Sequence, residues 1–98
     1  MSVLKVKYEE LEHQGFDTGG VEILYFNGNP FTGFSLIIEE RGWISLEEEY
    51  QNGYQEGIVR EYDESGQLEV EYKMQNNVLV PDTTIHFNDD GSPRDQNL

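Results

Sequence analysis

Tyr25-Phe-Asn-Gly28, Gly33 and Gly42 recur further along the chain as Tyr50-Gln-Asn-Gly53, Gly57 and Gly66. The two tyrosines and the two Asn-Gly pairs stand 25 residues apart, and the later glycines 24. The one-residue slip matches the longer link Gly28-Asn-Pro-Phe-Thr-Gly33 against Gly53-Tyr-Gln-Glu-Gly57. A fixed period of this size marks stacked supersecondary units, and such arrays bind partners more often than they catalyse.

The segments around these markers read as strands. Leu4, Val6 and Tyr8 alternate with Lys5 and Lys7, the period-2 pattern of a half-buried strand. Residues 9–20 are polar and glycine-rich, so a loop or a short helical turn is expected there. Val21–Phe26 and Phe34–Ile38 are apolar enough for strands, and Asn27-Gly28 is a tight-turn signal because both residues tolerate positive φ. Leu46, Glu48 and Tyr50 fall on one face, with Glu47, Glu49 and Gln51 on the other. Leu68, Val70 and Tyr72 likewise oppose Glu69, Glu71 and Lys73, with Gly57–Tyr62 as the returning strand. A third, degenerate unit has Asn76-Asn77 in place of Asn-Gly, and Phe87–Gly91 echoes Tyr62–Gly66. Pro81 ends Val78–Val80 and suits an edge.

The fold class expected is therefore all-β: successive antiparallel hairpins, most simply in one elongated, twisted sheet. One domain spans 1–98, with an N-terminal strand and loop over 1–20, hairpin repeats over 21–94 and a frayed tail over 95–98. Gly and turn residues interrupt every window of about ten, which leaves no room for a long helix.

Leu24–Gly28, Pro30-Phe-Thr-Gly33, Glu49–Gly53, Gly57, Tyr62 and Ser65–Leu68 resemble the bacterial variant of the MORN repeat. The resemblance covers roughly residues 22–94 and implies stacked β-hairpins. Many bacterial proteins of this type are labelled YwqK-family antitoxins, so it also implies an antitoxin or immunity role. The sequence departs from the pattern at Asn76-Asn77, at Arg41-Gly42 and over residues 1–20.

Charge is the second signal. Twenty acids and six bases give a net charge of −14, and residues 39–71 alone hold eleven acids against two arginines. Such a surface repels phosphate backbones and anionic headgroups, so nucleic-acid and membrane partners are not expected. A basic protein is the natural partner, and with the resemblance this points to a cognate toxin such as a nuclease. Solubility alone is the plainer account of the same charge. With no cysteine, disulfides and thiolate metal sites are excluded. No apolar run approaches the ~20 residues of a membrane span, and Met1–Lys7 lacks a signal-peptide core, so a cytoplasmic location is expected.

Nothing in the residue spacing calls for catalysis, a cofactor or a metal. His13 and His86 have no nucleophile motif or ligand partner at a suitable spacing. Asp63-Glu-Ser-Gly66 and Asp89-Asp-Gly91 fit turn chemistry better than cation binding. The candidate partner-binding residues are Glu47, Glu49, Glu69 and Glu71, expected as an acidic stripe on the outer sheet face and joined by Glu61. Trp43 and Tyr54, beside turns, are candidate apolar anchors. The alternative is a scaffold or homo-oligomer formed through open sheet edges, with no toxin partner; a carboxylate-dependent hydrolase is a third reading.

Overall fold

The computed structural model describes residues 4–94, so the expected tail over 95–98 lies outside the described residues. Strands β1 (Lys5–Lys7), β2 (Glu12–Phe16), β3 (Glu22–Phe26), β4 (Asn29–Pro30) and β5 (Gly33–Ile38) come first. They are followed by β6 (Ile44–Gln51), β7 (Tyr54–Tyr62), β8 (Leu68–Gln75), β9 (Val78–Leu79) and β10 (Ile85–His86). A 3₁₀ turn at Tyr8–Glu10 is the one helical feature among the described residues. The expected all-β fold of successive antiparallel hairpins is what forms.

Hydrogen bonding groups the strands into a large sheet, β1-β5-β6-β7-β8-β10 with β9 also on β8, and a small sheet, β2-β3-β4. Every pairing is antiparallel except β1 on β5, which is parallel. The molecule is elongated: 42 × 32 × 27 Å, with a radius of gyration of 14.7 Å, against about 13 Å for a compact chain of this length.

Two kinds of turn alternate along the meander. Asn27-Gly28, Asn52-Gly53 and Asn76-Asn77 are two-residue turns whose φ angles all lie between +48° and +88°. Asn77 adopts +67° where the other turns use glycine, since asparagine visits the left-handed region more readily than most residues. The third turn therefore closes like the first two, and the sequence departure there leaves the backbone unchanged.

The second kind comprises Asp17–Gly20, Glu39–Gly42, Asp63–Gly66 and Asn88–Gly91. In each, the first residue's N–H donates to the carbonyl four residues on at 2.8–2.9 Å. The glycine N–H donates back to the first residue's carbonyl at 2.8–3.0 Å. The earliest of these turns corrects the loop expected over 9–20: β2 occupies Glu12–Phe16 and closes a hairpin with β3. A register shift between His13 and Gly15 breaks the alternation that would have revealed it.

Each unit docks on its predecessor through the second residue of the two-residue turn. The Gly53 N–H donates to Phe31 O at 2.8 Å, and Leu24 N–H donates to Gly53 O at 2.9 Å. One period later the Asn77 N–H donates to Gln55 O at 3.0 Å. Phe31 and Gln55 occupy the same repeat position, two residues before Gly33 and Gly57.

The core is small and lies to one side. Val6, Leu11, Leu24, Phe31 and Tyr50 form it, with Tyr8 and Phe26 packed against them. It fills the space between the small sheet and the β1–β5–β6 end of the large one. On that covered face Ser35 lies between Val6 and Glu48, fully buried and with its hydroxyl lacking a hydrogen-bond partner. A buried, unpaired hydroxyl carries a desolvation cost of about 1–3 kcal/mol. Ser35→Ala is therefore expected to raise stability by about 1 kcal/mol, read as a higher urea midpoint at constant slope; an unchanged or lower midpoint counts against it.

Candidate functional site

Cross-strand partners share a sheet face, and the observed register decides what the candidate acids do. Glu47 is opposite Arg60, and Arg60 is opposite Glu71. Lys5 Nζ lies 3.0 Å from Glu47 Oε2, Arg60 Nη1 lies 3.7 Å from Glu47 Oε1, and Arg60 Nε lies 3.1 Å from Glu71 Oε2. The hydrogen bond to Glu71 pushes the Arg60 guanidinium pKa further up. Instead of an unbroken acidic stripe, this face carries a row of alternating sign, Lys5–Glu47–Arg60–Glu71, with Glu47 buried.

The other expected members of the stripe separate. Between Glu48 and Tyr50 the β6–β7 register shifts, and Glu49 Oε1 accepts the Ile58 N–H at 3.0 Å. Its carboxylate lies where a Gly57 side chain would project, so Glu49 completes the bulge rather than facing a partner. Glu69 is the extra residue of a second bulge, between the Glu61–Val70 and Tyr62–Leu68 pairs, and is exposed. Glu61 pairs with Val70 and Leu46, on the face opposite Glu47 and Glu71.

The two aromatic candidates also part company. The Tyr54 hydroxyl donates to Asp17 Oδ2 at 2.9 Å and clamps the first hairpin to the large sheet. That bond raises the Tyr54 pKa, while Asp17 is lowered first by the Val21 N–H and then by Tyr54. Trp43, in contrast, lines a groove of about 380 Å³ with Ile44, Glu47, Tyr62, Glu64 and Ser65. The Tyr62 hydroxyl donates to Glu47 Oε1 at 3.5 Å at the groove floor. Of the seven candidates, Trp43 and Glu47 are brought together here.

The meander places the turns Glu39–Gly42, Asp63–Gly66 and Asn88–Gly91 side by side at one end of the large sheet. Arg41 Nη1 bridges the first two, 3.3 Å from Glu64 Oε1. Asp63, Gln67, Asn88 and Asp89 share a depression between the second and third. These turns bring together Glu39, Glu40, Asp63, Glu64, Asp89 and Asp90, with Arg41 among them, whereas Asn52-Gly53 and Asn76-Asn77 at the other end hold no acid. The hydroxyls of Ser65 and Ser92 are the leading cause holding Asp63 and Asp90 below the ordinary aspartate range. Sequence reading assigned these acids to turn chemistry alone. Their near-24-residue spacing was the signal that they would line up.

One acid sits against the grain. Glu48 lies on the covered face between Ser35 and Val59, and burial raises its pKa, only partly offset by a 2.6 Å hydrogen bond from Gln55 Nε2. A raised carboxyl pKa means the folded state holds the proton more tightly than the unfolded chain. The stability tied to this group is thus full below the ordinary glutamate range and lost as pH rises through the raised value. Glu48→Gln is expected to raise stability at neutral pH by about 0.5–1 kcal/mol, discounted for partial exposure, and to have no such effect below pH ~4. Thermal unfolding of both proteins at pH 4 and 7 checks this; an equal shift at both values refutes the assignment.

His13 Nδ1 lies 3.0 Å from Glu22 Oε2 beside the Tyr8 ring, and His86 pairs with Val70. Among the described residues no group of three or more His, Asp or Glu side chains is arranged to hold a metal ion, and no helix is long and apolar enough to cross a membrane. What the fold defines is an all-β protein of stacked hairpins. No protein-family model matches the chain, no curated protein matches it, and no solved structure matches it.

Proposed function

We propose that this protein is a non-enzymatic binding module for a basic protein in the cytoplasm, acting as an antitoxin or immunity protein that occludes its partner's active site. The observation that carries this reading is the acidic end of the large sheet beside the Trp43 groove. Six turn carboxylates supply a long-range field that attracts a cationic surface and speeds encounter. The Trp43 and Tyr62 rings, with the aliphatic Ile44, offer the desolvated apolar contact that slows dissociation. The groove is formed by strand and turn residues held by the ladder, so little ordering accompanies binding.

Co-expression with the product of the neighbouring gene tests this. Protection from that product's toxicity is expected. Trp43→Ala should weaken the complex about 30-fold, the ~2 kcal/mol of a buried aromatic anchor. Joint reversal of Glu40 and Asp89 to lysine should slow association about tenfold at low salt and less at high salt. A neighbour that is harmless alone, or a complex indifferent to all three changes, would show the reading to be wrong.

A further inference from the structure

We infer that the groove on the opposite face of the large sheet is a second docking surface, and that its occupant is an extended protein segment with apolar side chains and a Lys or Arg that pairs with Glu61. This goes beyond the proposed function, since it concerns the other face and requires no toxin.

The groove holds about 490 Å³ and is lined by Glu61, Val70, Tyr72, Met74, Leu79 and His86, with Thr84 at its side. Register puts these groups together: Glu61 opposite Val70, Val70 opposite His86, and Met74 opposite Leu79. Leu79 at its rim is 49% exposed. The same face is closed at its other end by the protein itself, where Leu24 and Phe31 pack over Val6 and Tyr50. The sheet is thus half covered by apolar side chains and half left open.

Charge selects among occupants. The ion-pairing cations Lys5, Arg41 and Arg60 are engaged by Glu47, Glu64 and Glu71, and none of these pairs includes Glu61. Lys73 is opposite Ile58, on the other face. Among the described residues that line the groove there is no Lys or Arg beside Glu61, and the chain carries a net charge of −14. A second copy would bring another −14 and its own Glu61, and anionic ligands meet the same field. A cationic segment is attracted instead. Side chains on alternate residues of an extended segment fall about 6.5–7 Å apart, which matches the spacing of Val70, Tyr72 and Met74 along β8, and Met74 adapts to their shape.

The test is an NMR titration of the isotope-labelled full chain with a synthetic peptide alternating Leu and Lys, against its Leu–Glu counterpart. Saturable shifts at Val70, Tyr72, Met74 and Leu79 are expected with the Lys peptide and none with the Glu peptide. Glu61→Gln should weaken binding about fivefold, and so should Leu79→Ser, while Glu64→Gln on the other face changes it less than twofold. Leu79 is exposed, so that variant stays informative if Glu61→Gln perturbs folding. Shifts confined to Trp43, Tyr62 and the acidic turns overturn this inference and leave the proposed function standing. Equal binding of both peptides, or no saturable shift at all, also overturns it.

Discussion

Gly53→Ala is expected to destabilise the protein by about 2–5 kcal/mol, combining ~1–2 for a left-handed backbone with ~1–3 for overpacking. Gly53 has φ +88°, in the region that side chains disfavour. Its carbonyl accepts from Leu24 of the small sheet and its amide donates to Phe31, just past β4, so the backbones approach closely. An added Cβ would overlap Ile23 Cγ2 and lie 2.9 Å from Leu24 O. Gly28→Ala separates the two contributions: φ there is +80°, yet an added Cβ meets nothing within 4 Å. Only the backbone cost, ~1–2 kcal/mol, should appear at that site. Urea unfolding of the pair measures the difference. Equal losses would mean that the turn does not dock as tightly as its two hydrogen bonds indicate. Because domains of this kind hold only ~5–15 kcal/mol in all, the larger loss approaches unfolding.

Phe31→Ala is expected to cost about 3–5 kcal/mol. Phe31 is 1% exposed, and its ring centroid lies 6.1 Å from that of Phe26 and 5.8 Å from that of Tyr50. It is the side chain through which the small sheet grips the large one. With so few core residues beside it, the void has little to collapse onto it. The damage should be regional: amides of β2 and β3 are expected to exchange faster than those of β7 and β8, where the ladder is independent of this ring. A loss below about 1.5 kcal/mol, or uniform acceleration of exchange, would show that the two sheets are held together some other way.

Much of this architecture is legible before folding is considered. The Asn-Gly pairs at 27–28 and 52–53 need positive φ and so mark two-residue turns, and the turns Asp63–Gly66 and Asn88–Gly91 recur at the same spacing. The first hairpin was hidden because Glu12–Phe16 is polar and bulged, although Asp17-Thr-Gly-Gly20 has the acid-to-glycine form of Asp63–Gly66. Strand β1 is legible in the alternation of Leu4, Val6 and Tyr8, but its parallel pairing left no local trace, since its partner β5 lies about thirty residues away in sequence.

The candidate site was legible in part. Trp43 does line a groove, and the acids do gather, but at the sheet end rather than along its face. Strand alternation places Glu47, Glu49 and Glu71 outward, yet alternation says nothing about what stands opposite. Register put Arg60 between Glu47 and Glu71, and bulges took Glu49 and Glu69 out of the row. Tyr54 was drawn inward by Asp17, a partner supplied by a hairpin that the sequence did not reveal.

The chain's own residues thus determined its repeat, its turns, its strand content and its negative charge, because each depends on backbone preferences or on composition within a few neighbours. Tertiary structure alone decided which charges cancel, which ring stays accessible and which half of the sheet remains uncovered. Those outcomes follow from pairings between residues tens of positions apart, and a bulge of one residue is enough to change them.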